Sequence, residues 1–178
     1  MLKAIHLNDN CKINFKCIEP FPSENLKQLD GIKLIPDKMQ RVSLDTFLEL
    51  EKNDILFIDS THTVKPGSDV NYLILEVLPK LKKGVIVHFH DIYLPYDYQR
   101  NLLETYFQWM ETSLLRAFLI NNIQVEIIFC LSLLHYDKPN ILKEVFPDYI
   151  QQSGKEGLQD DRYDPKSHFP SSIFIRIR

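Results

Sequence analysis

"DILFIDSTHTVKPGSDVNYLILEVLPKLKKGVIVHFHDI", residues 54–92, decides how the rest of the chain is read. It opens on the compact apolar run "DILFIDS" (54–60), which ends in Asp59 as a strand buried on both faces would. Pro66 and Gly67 mark "THTVKPGSD" (61–69) as a loop. "VNYLILEVLPKL" (70–81) predicts a helix, with Asp69 as its cap and Pro79 near its end. Lys82, Lys83 and Gly84 then turn the chain into "VIVHFHDI" (85–92), a second strand carrying His88, His90 and Asp91. Strand, helix and strand in this order form a βαβ unit with a right-handed crossover.

The same alternation extends outward. Upstream, "INFKCIEP" (13–20) predicts a strand to Glu19 and "SENLKQL" (23–29) a short helix capped by Ser23. "GIKLIP" (31–36) follows as a strand and "SLDTFLEL" (43–50) has helical apolar spacing. Downstream, residues 96–121 carry the longest helical pattern. Its aromatics, Tyr106, Phe107 and Trp109, read as core, with a lid or a dimer face as the alternative. "VEIIFCLSLL" (125–134) predicts a strand, "PNILKEVFPDYI" (139–150) a short helix and residues 151–167 a polar loop. "SSIFIRIR" (171–178) alternates as a half-buried closing strand does. The expectation is one α/β domain over residues 1–178, with a mostly parallel sheet flanked by helices.

Composition narrows the function. With 44% hydrophobic residues in a chain of 178, one real core is affordable. A net charge of -3 argues against a general nucleic-acid binder. No apolar run approaches the ~20 residues that span a bilayer, so no membrane partner is expected. "MLKAIHLNDN" (1–10) lacks the long apolar stretch of a secretory signal. Cys11, Cys17 and Cys130 have no metal-like or paired spacing and read as reduced thiols in a cytoplasmic protein.

In open α/β sheets, ligands bind beyond the carboxyl ends of the strands. Three predicted strands here end in an acid: Glu19, Asp59 and Asp91. Asp59 and Asp91 are one crossover apart, so their carboxylates can share a crevice with His90 and His62. Oxygen ligands with an imidazole suit a divalent cation such as Mg²⁺ or Mn²⁺. Taken singly, each acid is read equally well as a helix or turn cap. His62 alone is equally a surface loop residue, and His88 reads as a packed core histidine.

"FIDSTH", "LPKLKKG" and "VHFHDI" together resemble the central motifs of class I S-adenosylmethionine-dependent methyltransferases, in the group with "IDSSH"-like and "HDI"-like strand ends. "CIEPFPSENL" (17–26) resembles that family's second strand and "SSIFIRIR" its final one. The resemblance implies a Rossmann-like sheet whose last strand is antiparallel. It implies that Glu19 binds the ribose of S-adenosylmethionine and that Met39, Gln40 and Arg41 lie near the adenine. Asp59 would sit at the crevice floor, near the methionine end. In related O-methyltransferases, acids at the positions of Asp59 and of the His90–Asp91 pair hold Mg²⁺, which makes Asp59, His90 and Asp91 the candidate metal ligands. Without a metal, His62 or His90 would act as general base.

One departure from the family is clear. Its first strand and glycine-rich "E-x-G-x-G" loop have no counterpart among these residues, and the chain holds only five glycines and no G-x-G. Met1 aligns within the helix after that loop, so the expectation is a chain truncated at its N-terminus. A strand from a partner chain and a closed-up remnant are the alternatives. The leading function is methyl transfer from S-adenosylmethionine to a small-molecule oxygen or nitrogen. A non-catalytic remnant or binding module comes second and a metal-dependent hydrolase third. A homo-oligomer remains open.

Overall fold

The computed structural model describes residues 7, 13–98, 109–151 and 169–178. Apart from Leu7, which is helical, the expected tail of a first helix near the N-terminus lies outside the described residues, as do residues 99–108 of the expected long helix (with Tyr106 and Phe107) and nearly all of the polar loop. The chain divides into two compact units, Met1–Ser43 and Leu44–Arg178.

In the first unit, β1 (Lys16–Ile18) and β2 (Lys33–Ile35) pair in parallel, with Cys17 opposite Leu34. The N–H of Glu19 still donates to Ile35 O at 3.1 Å, so the acid leaves the sheet at the last ladder bond. Between the strands, α1 (Glu24–Lys27) starts where expected, because the Ser23 hydroxyl accepts from Leu26 N at 3.2 Å. A 3-10 turn, Met39–Arg41, follows β2.

The second unit opens with α2 (Asp45–Leu48) and then builds the βαβ unit. β3 (Ile55–Ile58) and β4 (Ile86–His90) are parallel, with Phe57 opposite His88 and Ile58 opposite Phe89. The helix between them is irregular: α3 (Asp69–Asn71) widens into a π-helical stretch, Tyr72–Val77, and tightens into a 3-10 turn, Leu78–Lys80. Pro79 lacks the N–H that a regular helix needs there. Its cap is Ser68, whose hydroxyl accepts from Asn71 N at 3.2 Å, and not the expected Asp69. Asp69 instead accepts from Thr61, N–H at 2.9 Å and hydroxyl at 2.6 Å, and ties down the loop after β3.

Beyond Tyr98 the described chain resumes at Trp109 and forms α4 (Glu111–Leu119). β5 (Val125–Cys130) is shorter than expected, because Leu131 starts α5 (Leu131–Asp137) directly. Ser132 and His135, one helical turn apart, are both buried, so "LSLL" faces the interior at helical and not strand spacing. α6 (Pro139–Val145) and β6 (Ser172–Ile177) complete the described elements.

The sheet order is β3-β4-β6-β5. β6 runs antiparallel to both neighbours, pairing His88 with Phe174 on one side and Phe129 with Phe174 on the other. The other three strands of this sheet point one way, so the fold is the expected Rossmann-like α/β arrangement with an antiparallel last strand. One face of the sheet is core: Val87, Phe89, Ile173 and Ile175 are fully buried, as are Val70, Leu73, Ile74 and Val77 of the helical crossover. Each such side chain contributes roughly 1.5–3 kcal/mol. The other face carries an aromatic ladder, Phe57–His88–Phe174–Phe129, with adjacent ring centroids 4.9, 3.9 and 4.3 Å apart. His88 also meets Ser172 Oγ at 3.1 Å, and burial, then the charge of His90, lower its pKa to about 4. It is the packed histidine that the sequence suggested. Among the described residues, no helix is long and apolar enough to cross a membrane.

Candidate functional site

Because β3 and β4 are parallel and in register, Asp59 and His90 emerge side by side at their carboxyl ends. His90 Nδ1 lies 3.7 Å from Asp59 Oδ1 and 3.3 Å from Asp91 Oδ1. His62, three residues past Asp59, bends back over the strand end. Its Nε2 stands 3.8 Å from Asp59 Oδ1 and 3.9 Å from Asp91 Oδ2. Four of the residues singled out from the sequence therefore converge.

Depth differs sharply within the cluster. The side chain of His62 is 7% exposed, that of Asp91 23%, and that of Asp59 55%. Asp59 thus stands at the mouth, where the sequence suggested the floor. The floor is Glu111, the first residue of α4, which is completely buried. Its Oε2 lies 2.7 Å from His62 Nδ1, in hydrogen-bond contact, and accepts from Ser60 Oγ at 2.8 Å. The His62 carbonyl in turn accepts the N–H groups of Met110 and Glu111, at 2.8 and 3.2 Å. Trp109 packs on the imidazole with ring centroids 4.4 Å apart. Burial lowers the His62 pKa, but the hydrogen bond and charge of Glu111, with Asp91 and Asp59, outweigh it and leave it above its ordinary value.

A second string of bonds positions Asp91. Ser171, just before β6, donates its hydroxyl to Asp91 Oδ1 at 2.8 Å. Tyr93 bonds Ser171, and its phenol pKa is pushed up by burial first and then by the Asp91 charge. The sequence had marked none of Glu111, Ser60, Ser171 or Tyr93. Glu111 sits inside a helical pattern with other acids, and only its burial distinguishes it.

The cation expected at Asp59, His90 and Asp91 fits poorly. Among the described residues, no three His, Cys, Asp or Glu side chains are arranged to hold a metal ion. Asp91 Oδ1 already accepts from Ser171, and both carboxylates face imidazole nitrogens. No chemical step is therefore assigned to a metal.

In the first unit, Glu19 stands just past β1, with Oε1 accepting from Phe21 N at 2.8 Å. That bond fixes the carboxylate at the strand end. Gln40 lies in the 3-10 turn after β2. The 178 residues contain no G-x-G.

A family model described as a methyltransferase domain matches residues 1–92, just over half of the chain. No curated protein and no solved structure matches the chain. The matched stretch contains Glu19, Gln40, Asp59, His62, His90 and Asp91; Glu111 lies outside it.

Proposed function

The chain belongs to the methyltransferase-domain family, and from that premise we propose that it methylates a small-molecule oxygen or nitrogen, using S-adenosylmethionine. The observation that carries this reading is the approach of His62 Nε2 to Asp59 and Asp91 at adjacent strand ends. When bound, S-adenosylmethionine supplies a methyl group on a sulfonium sulfur. His62 takes the proton of the acceptor hydroxyl or ammonium, with His90 as the second candidate base. With the cofactor bound, the acceptor lone pair would form the new bond to the methyl carbon as the carbon–sulfur bond breaks, with S-adenosylhomocysteine as the leaving group. Positioning supplies most of the rate, since no covalent enzyme intermediate is needed.

Two carboxylates at the mouth make the approach acidic. A neutral or cationic acceptor is favoured there over a carboxylate or phosphate. In the first unit, Glu19 would hold the ribose hydroxyls of the cofactor and the Gln40 turn would border its adenine.

The test is a calorimetric titration of S-adenosylhomocysteine into the folded protein, with and without Mg²⁺. Saturable one-site binding supports the reading. A Mg²⁺ requirement would return Asp59, His90 and Asp91 to the role of metal ligands. No binding by folded protein would overturn the enzyme reading in favour of a remnant or binding module, which the missing glycine motif would then explain.

A further inference from the structure

We propose that Glu111 is a positioning residue, which fixes His62 in the tautomer with the proton on Nδ1 and so presents the Nε2 lone pair to the acceptor. This rests on the methyl-transfer reading of the site and adds to it a residue outside the family match.

Three observations carry it. The Nδ1–Oε2 distance is 2.7 Å, which requires a proton between the atoms. With that proton on Nδ1, a neutral imidazole has its lone pair on Nε2, the nitrogen that faces Asp59 and Asp91. The latch is also reciprocal. Glu111 holds the His62 ring and Ser60, while the His62 carbonyl holds the first N–H groups of α4. Rotation of the His62 ring would break its contact with Glu111, and withdrawal of its backbone would release the N–H groups at the start of the helix.

The third observation is a cost. Glu111 is wholly buried, and its Oε1 has no hydrogen-bond partner among the described residues. A buried acceptor left unsatisfied costs about 1–3 kcal/mol. An amide could anchor the same loop without a buried charge, so anchoring alone does not account for the acid. Orienting a base does, because an ionised carboxylate side chain only accepts, whereas an amide also offers a donor to Nδ1. The raised pKa of His62 agrees with this geometry.

The test reads the tautomer directly, by nitrogen NMR of histidine-labelled protein at a pH where His62 is neutral. The His62 signals are assigned by their loss in His62→Gln. The wild type is expected to carry the proton on Nδ1. Glu111→Gln is expected to give a mixture of tautomers and to lower kcat by about 100-fold, with the KM for the cofactor unchanged. Glu111→Asp should restore the Nδ1–H form at least in part. A proton on Nε2 in the wild type overturns the proposal even if no variant folds, and so does an unchanged tautomer in Glu111→Gln. The spectrum needs neither cofactor nor acceptor. An Nδ1–H wild type that binds no S-adenosylhomocysteine would therefore sink the methyltransferase reading while leaving the His62–Glu111 pairing in place.

Discussion

His62 and Asp91 hold left-handed backbone at the ends of two adjacent strands, with φ of 56° and 52°, and their side chains meet at 3.9 Å. Such backbone costs a non-glycine residue roughly 1–3 kcal/mol and clusters at functional sites. Asp91→Gly and Asp91→Ala remove the same carboxylate and the same bond from Ser171. The glycine variant should nonetheless be more stable, by about 1 kcal/mol, because it alone accepts positive φ without strain. Urea unfolding of the pair measures the difference; equal stabilities would mean that the turn relaxes.

The rate should depend on His62 in its neutral form. Its pKa lies above the ordinary 6.5, so kcat/KM should climb with pH through a midpoint higher than that value. His62→Gln is expected to lower the rate about 100-fold and to remove this limb. His90→Gln should keep it, and a profile in which His90→Gln alone abolishes the limb would transfer the base role to His90.

Stability at low pH should report His88. Its folded pKa of about 4 lies below the ordinary 6.5, so the unfolded chain binds the extra proton more readily. The penalty is absent above pH 6.5, grows as pH falls and is complete below about 4. His135, also lowered by burial, acts in the same direction, whereas His62, raised, opposes it. His88→Phe should keep the ring ladder and flatten, without abolishing, the loss of urea midpoint between pH 6.5 and 4. An unchanged slope would place the effect elsewhere.

Asp69 should matter to the site without touching it. Its carboxylate holds Thr61, the residue before His62, through two bonds at an exposed position. Asp69→Ala is expected to cost about 1 kcal/mol of stability and to reduce kcat several-fold by loosening the loop. Activity equal to wild type would show that the Glu111 latch alone suffices.

Gly84 and Gly67 both have positive φ, at 91° and 76°, but differ in surroundings. A Cβ on Gly84 would stand 2.5 Å from Lys52 Cγ and 3.3 Å from Lys52 Cα, whereas one on Gly67 meets nothing within 4 Å. Gly67→Ala should therefore cost only the backbone strain, about 1 kcal/mol, and Gly84→Ala distinctly more. Equal thermal shifts would mean that Lys52 moves aside.

The parts of this fold that could be read from sequence are those set by local periodicity. The runs ending at Asp59 and Asp91 and the crossover between them announce themselves, because buried strands need contiguous apolar residues and the helix needs a stripe. "LSLL" was misread as strand because a short apolar run satisfies both periods, and only the burial of Ser132 and His135 separates them. Ser68 and Asp69 are both good caps, and which one caps depends on Thr61, seven and eight residues back. Glu111 was illegible for a deeper reason. Its partners Ser60 and His62 are 51 and 49 residues away, so no window contains the pair.

The position of β6 shapes how the second unit can assemble. Ser172–Ile177 lies between β4 and β5, with Ser172 opposite His90, more than eighty positions apart in the chain. Neither β4 nor β5 can complete its ladder until that late segment arrives, since each pairs with it and not with the other. During synthesis the two strands wait with open backbone edges, which is the condition under which slow, non-local sheets are drawn into wrong pairings. The order of the sheet thus makes its central seam the last part of the unit to close.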